Sequence, residues 1–402
     1  AASDVYKRQV MVWPYGQFND VAVQLARQAG MSHYFSLGEK IINKVGDKHI
    51  GRLLLNAETD LNTVKNYLDG IDESKQIQRV LHVDLDYVYD ADKAQQAKNL
   101  DKLIDRIYRY GVTTVYLQAF SDPDGDGVAD ALYFPNKYLP VRDDIFGRIA
   151  WQLQTRAGVQ VYAWMPVLAF DLRKGVKEAE YVIDSRTGKP STKAYLRLSP
   201  YNKQNVEIIK SIYNDLSFYA KFNGILFHDD AFLTDFEGAE GDHAEGMVSP
   251  QAKQKTQDLI QLTHQLTDAL KPYFLRGSYS LKTARNLYAS VITNPNAEEW
   301  LAQNLKTLTD NYDTTAIMAM PYMENEQPIS QKEAYQWFAS LIENVKAQAP
   351  LEKVLFEFQA VNWRTQKPIP ESELIDWMTL LQKNHIYSYG YYPDNFLTNQ
   401  PN

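Results

Sequence analysis

The 402-residue sequence contains no cysteine. This absence excludes a disulfide framework, a cysteine-based zinc site and a thiol nucleophile. No run of about 18 apolar residues occurs, so we expect no membrane-spanning helix. Lys and Arg number 42 against 50 Asp and Glu, which gives a formal net charge of −8. Because duplex nucleic-acid binders neutralise phosphates with clustered Lys and Arg, this balance predicts no nucleic-acid partner.

Several familiar catalytic and nucleotide-binding motifs are also absent. The sequence has no GxSxG, HExxH or P-loop pattern, and no predicted strand is followed by GxGxxG. These absences argue against a serine-hydrolase elbow, a zinc-protease helix and a phosphate-binding loop. The composition is that of an ordinary globular protein, with 45% hydrophobic and 23% charged residues. Carboxylates are therefore the main groups available for catalysis.

From about residue 80 onward, short β-rich runs alternate with longer segments of helical periodicity. Leu100, Leu103 and Ile107, for example, are spaced as one apolar helix face. Eight such pairs without a phosphate-binding loop predict an α/β fold, a (β/α)8 TIM barrel rather than an open doubly wound sheet. The strand candidates are VLHVDLDY (80–87), TTVYLQAF (113–120), VQVYAWMPV (159–167), GILFHDDA (224–231), a run within YFLRGSYSLKTARN (273–286), TTAIMAMPY (314–322), KVLFEFQA (353–360) and IYSYGYY (386–392).

The N-terminal segment does not fit this repeat. Its strand-like and helical pieces, MVWPYG, DVAVQLARQAG and HIGRLLLNA, are too short to bury a core of their own. We therefore predict that residues 1–65 are the tail of another domain, residues 66–79 a linker and residues 80–402 the barrel.

Consecutive carboxylates follow the fourth predicted strand, where the chain reads His228, Asp229, Asp230. In a TIM barrel the active site lies at the C-terminal ends of the strands. Two close carboxyl groups push their pKa values apart, so one can stay protonated as a general acid while the other stays ionised. Asp229, Asp230 and the nearby Asp235 are therefore catalytic candidates. The alternative is a hydrogen-bonded strand end or a helix-capping pair.

Other predicted strand ends add further candidates. His82, Asp84 and Asp86 alternate along the first strand, so they would share one face, as sugar-binding groups or as a polar network beneath the site. Glu324 follows the sixth strand and could act as an acid, a base or an amine-binding group. Further residues near predicted strand ends are Trp164, Lys282, Arg285, Asn286, Tyr322, Tyr391 and Asp394.

The loop Asp122-Pro-Asp124-Gly-Asp126-Gly127 matches the first half of a calcium-binding loop. Tyr133 stands where that loop would need a bidentate glutamate. We therefore interpret the segment as a turn-rich loop, with a calcium site as the alternative.

The quoted runs also form a family pattern. RVLHVDLDYVYD, TVYLQAFSDPDGDG, VYAWMPVLAFDL, LRLSP, GILFHDDA, KTARN, TAIMAMPYME and YGYYPDNFL occur in this order from about residue 79 onward. Together they resemble the C-terminal domain of PgaB-type poly-β-1,6-N-acetylglucosamine N-deacetylases. The resemblance implies a glycoside hydrolase barrel that binds, and in some members hydrolyses, partially deacetylated poly-β-1,6-N-acetylglucosamine, a biofilm matrix polymer.

The resemblance also implies roles for particular residues. It places Asp229, Asp230, Tyr195 and Trp300 in a sugar-binding groove, whereas spacing alone would put Trp300 in a helix core. It matches Asp235 to a carboxylate implicated in hydrolysis. MVWPYG (11–16) and VAVQLARQAG resemble the end of the family's NodB-like deacetylase domain, whose upstream metal-ligand motifs are not in this sequence.

Three functions follow as alternatives: a hydrolase acting on the glucosamine polymer, a polymer-binding barrel without catalysis, and a zinc-dependent deacetylase. The third needs metal ligands that the sequence lacks, so we expect no cofactor in this chain and a divalent metal only in the deacetylase domain of the parent protein. The resemblance further implies a periplasmic location, a lipid anchor at the N-terminus of the parent protein, and an outer-membrane export machinery as a partner.

Overall fold

The computed structural model describes residues 9–37, 43–52, 77–173, 175–191, 193–238, 248–274 and 281–401. The chain divides into two units, one of residues 1–77 with 271–281 and the other of residues 78–270 with 282–402. Within the described ranges, we find no helix with both the length and the apolar character needed to cross a membrane.

The first unit contains a small parallel sheet. Its strands are β1 (Val10–Val12), β2 (His33–Leu37) and β3 (His49–Arg52), paired in the order β1-β2-β3. Helix α1 (Asp20–Gln28) follows β1, and the Asn19 side chain caps it by accepting the amide hydrogen of Ala22.

The described part of the first unit has a small buried core. Trp13, Val23 and Ala26 form its buried core. Residues 53–65 of the predicted tail and 66–76 of the predicted linker lie outside the described residues. The proposed domain boundaries therefore stay predictions.

The second unit is a closed barrel of eight parallel strands, which confirms the predicted (β/α)8 fold. Each strand pairs with the next along the chain, and β11 pairs with β4 to close the ring. Most strand residues are buried, because the barrel interior contacts one face and the helices cover the other. The strands are β4 (Arg79–Val83), β5 (Thr114–Gln118), β6 (Gln160–Met165), β7 (Gly224–Phe227), β8 (Lys282–Tyr288), β9 (Thr314–Ala319), β10 (Val354–Gln359) and β11 (Tyr389–Tyr392).

Helices connect these strands. In α2, Asp92 caps the N-terminus, Gly111 ends the helix in the left-handed conformation, and Leu103 is among the residues buried against the barrel. A capping box formed by Ser330 and Glu333 begins α7. The helices between the barrel strands are α2 (Lys93–Tyr110), α3 (Phe146–Gln152), α4 (Lys203–Tyr219), α5 (Pro250–Phe274), α6 (Leu305–Asn311), α7 (Gln331–Gln348) and α8 (Glu371–Lys383).

Short elements lie beyond the strand ends, on the side where the site forms. The short helices are Leu85–Val88, Ser290–Thr293, Glu298–Leu301 and Pro321–Glu324. Two-residue strand pairs join Phe120–Ser121 to Ala131–Leu132, Ile183–Asp184 to Lys189–Pro190, and Val361–Asn362 to Lys367–Pro368.

Two strand ends differ from the sequence prediction. Strand β4 ends at Val83, and a short helix over Leu85–Val88 takes its place. The predicted alternation of Asp84 and Asp86 on one strand face is therefore wrong. Strand β8 runs over Lys282–Tyr288, so its C-terminal end is Tyr288 and not the segment near Lys282.

Candidate active site

A cavity of about 300 Å³ opens at the C-terminal ends of the barrel strands. It has the size of a small-molecule site. Of the residues predicted for the site, it is lined by His82, Trp164, Tyr195, His228, Asp229 and Asn286. Lining residues that were not predicted as candidates are Gln118, Phe120, Met318, Met320, Met323, Glu357, Trp363 and Tyr392, together with Asp122, Gly125, Asp126 and Gly127 of the turn-rich loop.

Three side chains surround the carboxylate of Asp229 in this cavity. Its Oδ2 accepts hydrogen bonds from the hydroxyls of Tyr195 at 2.8 Å and Tyr288 at 2.7 Å. Its Oδ1 lies 2.8 Å from His228 Nε2. Burial would raise the pKa of Asp229, but His228 and the two tyrosine hydroxyls outweigh it and lower this pKa to about 2. Asp229 is therefore ionised at neutral pH.

The groups around Asp229 have pKa shifts that suit them as hydrogen-bond partners of a carboxylate. Burial and the charge of Asp229 raise the pKa values of Tyr195 and Tyr288, so both remain hydroxyl donors. Burial lowers the pKa of His228, but Asp229 and Asp230 reverse this effect and the net shift is upward.

A glycine makes room for Tyr195. Gly127 has a φ of +79°, and a Cβ atom there would overlap the Tyr195 ring. The turn-rich loop therefore supports the side chain that orients Asp229.

Asp230 does not line the cavity. It is fully buried, and its carboxylate accepts the backbone amide hydrogens of Val167, Leu168 and Ala169 in the segment after β6. Burial outweighs these bonds and the charge of His228, so the pKa of Asp230 is raised. The geometry gives Asp230 a positioning role, which corresponds to the hydrogen-bonded alternative considered from the sequence.

Three further carboxyl groups near the barrel mouth have pKa values close to neutrality. Burial raises the pKa of Glu324 to about 7, with a smaller contribution from the charge of Asp229. Glu324 is not among the residues that line the cavity, and both its oxygens accept backbone amide hydrogens, from Ala289 at 2.9 Å and Ser290 at 3.1 Å. Burial and neighbouring aspartates raise the pKa of Asp84 to about 7, and burial raises that of Asp122 to about 6.

Glu357 belongs to a hydrogen-bonded group in the cavity floor and was not a candidate from the sequence. Glu357 in β10 is 1% exposed, and its Oε1 lies 2.8 Å from His82 Nε2. Its Oε2 accepts a hydrogen from Asn286 Nδ2 at 2.7 Å. A single glutamate within the apolar run KVLFEFQA is the signal that could have identified it, because an unpaired buried charge is costly.

Two further tyrosines were missed, Tyr288, which bonds to Asp229, and Tyr392, which lines the cavity. Tyr288 was outside the predicted fifth strand, which stopped at residue 286. Tyr392 lines the cavity at the end of β11, whereas the predicted Tyr391 faces the helices and bonds to Asp394 at 2.9 Å. Because adjacent strand residues face opposite sides, choosing Tyr391 over Tyr392 selected the wrong face.

Other residues predicted for the site do not line the cavity. Lys282 begins β8 at the opposite end of the barrel and pairs with Asp313, so its assignment to the rim is wrong. The Tyr322 hydroxyl donates to Glu373 in α8 rather than facing the cavity. Asp86 does not line the cavity, and it accepts the backbone amide hydrogen of Asp122, a lining residue, at 3.0 Å. It also accepts hydrogen bonds from Ser121 and Tyr133 and pairs with Arg142, at 3.0, 2.6 and 2.5 Å respectively.

Two other predicted rim residues belong to buried networks. Arg285 donates to the Tyr312 hydroxyl and to the backbone oxygen of Ala231. Asp394 forms an ion pair with the buried Arg106 of α2 at 2.5 Å. Both networks connect the barrel to its surrounding segments.

Two of the residues that the family resemblance assigns a role, Trp300 and Asp235, do not line the cavity. Trp300 is 41% exposed on a short helix, so the helix-core expectation is wrong, and it does not line the described cavity. Asp235 is half-buried in the turn after β7, and its charge acts on Lys255. Glu237 anchors this turn by accepting hydrogens from Arg197 at 2.6 Å and from the Thr234 amide at 2.9 Å.

The aspartate-rich loop forms the predicted turns. Asp122 accepts the backbone amide hydrogens of Gly125, Asp126 and Gly127 at 2.9, 3.1 and 2.9 Å. Carboxylate oxygens of Asp122, Asp124 and Asp126 lie within 4.8 Å of one another. Both oxygens of Asp122 are thus already used by the turn.

A TIM barrel with an ionised aspartate, further carboxyl groups of raised pKa and aromatic walls at its C-terminal mouth belongs to the class of glycoside-hydrolase-like barrels. Comparison with known families agrees. The profile described as "Hypothetical glycosyl hydrolase family 13" matches residues 82–392, and the chain belongs to this family.

Relatives of known name support this assignment. The structure of the PgaB (BpsB) glycoside hydrolase domain from Bordetella bronchiseptica is 40% identical and covers 81% of this chain and 96% of its own, with a TM-score of 0.73. The poly-beta-1,6-N-acetyl-D-glucosamine N-deacetylase of Escherichia coli (strain K12) is 39% identical over 98% of this chain. The chain spans 61% of that relative's length. The family resemblance drawn from the sequence is confirmed.

Proposed function

We propose that this chain is a glycoside hydrolase that cleaves within chains of partially deacetylated poly-β-1,6-N-acetylglucosamine. The observation that carries the proposal is Asp229, a carboxylate kept ionised by three hydrogen-bonding partners at the mouth of a TIM barrel. The names of the relatives supply the polymer. An ionised carboxylate is one half of the pair that glycosidic cleavage uses.

A protonated carboxyl group supplies the other half. The pKa values of Asp229 and Glu324 are pushed apart, to about 2 and about 7, and the charge of Asp229 contributes to the upper value. Glu324 is accordingly our first candidate for the acid that protonates the leaving oxygen, and Asp235 is the second. Asp229 would stabilise or attack the oxocarbenium-like centre, unless the substrate's acetamido group takes that part. Asp230 would hold the segment after β6 in place.

The cavity walls suit a glucosamine chain. Trp164, Trp363 and Tyr392 offer ring faces for the apolar faces of sugars. Asp122 and Asp229 offer negative charge to the ammonium groups of deacetylated units. We propose that deacetylated oligomers bind more tightly than fully acetylated ones.

The family resemblance supports a proposal about location. We propose that the protein acts in the periplasm, anchored by a lipid, beside an export machinery.

Mass spectrometry of the products tests the proposed activity. The chain is incubated with partially deacetylated poly-β-1,6-N-acetylglucosamine. Shorter oligomers with an unchanged acetyl content are expected. If the polymer keeps its length at chain concentrations at which it is bound, the proposal is contradicted.

A polymer-binding barrel without catalysis is the second candidate. Both oxygens of Glu324 already accept backbone hydrogens, an arrangement typical of a helix cap. Under this alternative the cavity would hold the polymer during export. Binding without cleavage in the same incubation would favour it.

A further inference from the structure

Among the described residues, four that line the cavity have a buried polar atom without a hydrogen-bond partner, and one of these atoms, His228 Nδ1, lies 3.7 Å from Asp230 Oδ1. The other three atoms are His82 Nδ1, Gln118 Oε1 and Trp164 Nε1. The three residues are 3%, 4% and 5% exposed, and all line the cavity. Buried polar groups in folded proteins are nearly always paired. Three unpaired groups in one cavity therefore indicate that a ligand supplies the partners.

The environment of His82 determines which hydrogen bond its free nitrogen can make. Its Nε2 lies 2.8 Å from Glu357 Oε1, and Asn286 donates to the other oxygen of the same carboxylate. A carboxylate only accepts hydrogen bonds, so the His82 hydrogen belongs on Nε2. In the neutral imidazole the lone pair is then on Nδ1, which becomes an acceptor.

The ring of His82 is also held by packing. Tyr116 and Trp164 contact it edge-on, with centroids at 5.0 and 5.3 Å and interplanar angles of 84°. Tyr392 contacts it at 5.7 Å. A ring fixed in orientation and tautomer presents its acceptor in one direction, which is what recognition of a single hydroxyl group requires.

We propose that His82 recognises a hydroxyl group of a hexosamine ring by accepting its hydrogen at Nδ1, and that Glu357 is the positioning residue that selects the tautomer. Gln118 accepts a second hydroxyl hydrogen, and Trp164 donates to an oxygen of the same ring. Two acceptors and one donor next to aromatic faces match a sugar, whose hydroxyls both donate and accept. This inference rests on the proposed function, because it needs the glucosamine polymer in the cavity.

Nitrogen-15 NMR of the histidine side chains tests the inference directly. The chain has 7 histidines, and a His82→Asn variant assigns the resonances of His82. The free protein is expected to show the Nε2–H tautomer. A saturating partially deacetylated β-1,6-glucosamine oligomer should shift the Nδ1 resonance in the direction of an accepted hydrogen bond. Oligomer binding with an unchanged Nδ1 resonance, or an Nδ1–H tautomer in the free protein, overturns the inference and leaves the proposed function standing.

Paired substitutions provide a second test. The amide of His82→Asn occupies the position of Nδ1, whereas that of His82→Gln occupies the position of Nε2. If Nδ1 binds the sugar, His82→Gln should raise the Kd of the oligomer about 5- to 10-fold more than His82→Asn does, the range for one hydrogen bond. If His82 serves only to pair with Glu357, the order reverses and the inference fails.

Glu357→Gln tests the positioning role. The glutamine amide can donate to Nε2, which would move the His82 hydrogen to Nδ1 and raise the oligomer Kd about tenfold. The matched control is Glu373→Gln, another buried glutamate, which bonds to Tyr322 away from the cavity. An unchanged tautomer and Kd in Glu357→Gln would contradict the inference. An oligomer that fails to bind the unaltered chain would contradict both this inference and the proposed function.

Discussion

Tyr288 donates its hydroxyl hydrogen to Oδ2 of Asp229 at a distance of 2.7 Å. Tyr288 ends strand β8, and Asp229 lies two residues beyond β7, so the bond joins neighbouring strands at the barrel mouth. Together with His228, which has the largest effect of the three, and Tyr195, it keeps Asp229 ionised in a buried position. The proposed chemistry depends on this arrangement.

Tyr288→Phe should slow cleavage about tenfold without unfolding the protein. Loss of one donor raises the pKa of Asp229, because hydrogen bonds from Tyr288 and Tyr195 contribute to its lowering. The acidic limb of the pH–rate profile should therefore move to higher pH. Tyr335→Phe, on the exposed surface of α7, is the control. An acidic limb that stays in place in Tyr288→Phe would show that Tyr288 does not tune Asp229.

Cleavage should decline as the pH rises through about 7. Glu324 has a raised pKa of about 7, so it carries the required proton below that pH and loses it above. Measurement of kcat/KM from about pH 5 to about pH 9 gives the profile. Glu324→Gln cannot donate a proton and should cleave at least about 100-fold more slowly with an unchanged Kd. Parent-level cleavage by Glu324→Gln would move the acid role to Asp235.

Asp230→Asn should destabilise the barrel. The asparagine amide has one acceptor oxygen where the carboxylate uses two to hold the amides of Val167, Leu168 and Ala169. We expect the free energy of unfolding to fall by about 1–3 kcal/mol in denaturant titrations. Asp376→Asn, on the exposed face of α8, is the matched control. Equal stability of the two variants would argue against a positioning role for Asp230.

The chain should release no acetate from the polymer, with or without added zinc. A metal-activated water needs about three protein ligands, and the metal-ligand motifs expected for the deacetylase domain are not in the sequence. An assay of acetate release in the presence of zinc or cobalt checks this. Acetate above the background of a heat-denatured sample would contradict it.

The sequence predicted the barrel because its strands are buried on both faces and read as continuous apolar runs. The ends of the strands could not be located from the sequence in the same way. The run VLHVDLDYV continues past Val83 into a short helix without a change in composition. Asp229 could be predicted from its position after an apolar strand. Its partner Tyr288 could not, because the contact joins residues 59 positions apart and depends on the exact end of β8.

The proposed cleavage of the polymer depends on Asp229. Asp229→Asn preserves the shape of the side chain and removes its negative charge, and a parallel affinity measurement separates the effect on catalysis from the effect on polymer binding. The direct measurement is the rate at which new reducing ends appear in partially deacetylated poly-β-1,6-N-acetylglucosamine. The rate is measured for the unaltered chain and for Asp229→Asn, and polymer affinity is determined in parallel. We predict a loss of about 100-fold or more in rate, which exceeds any loss of polymer affinity. Cleavage by Asp229→Asn at the parent rate would contradict the account.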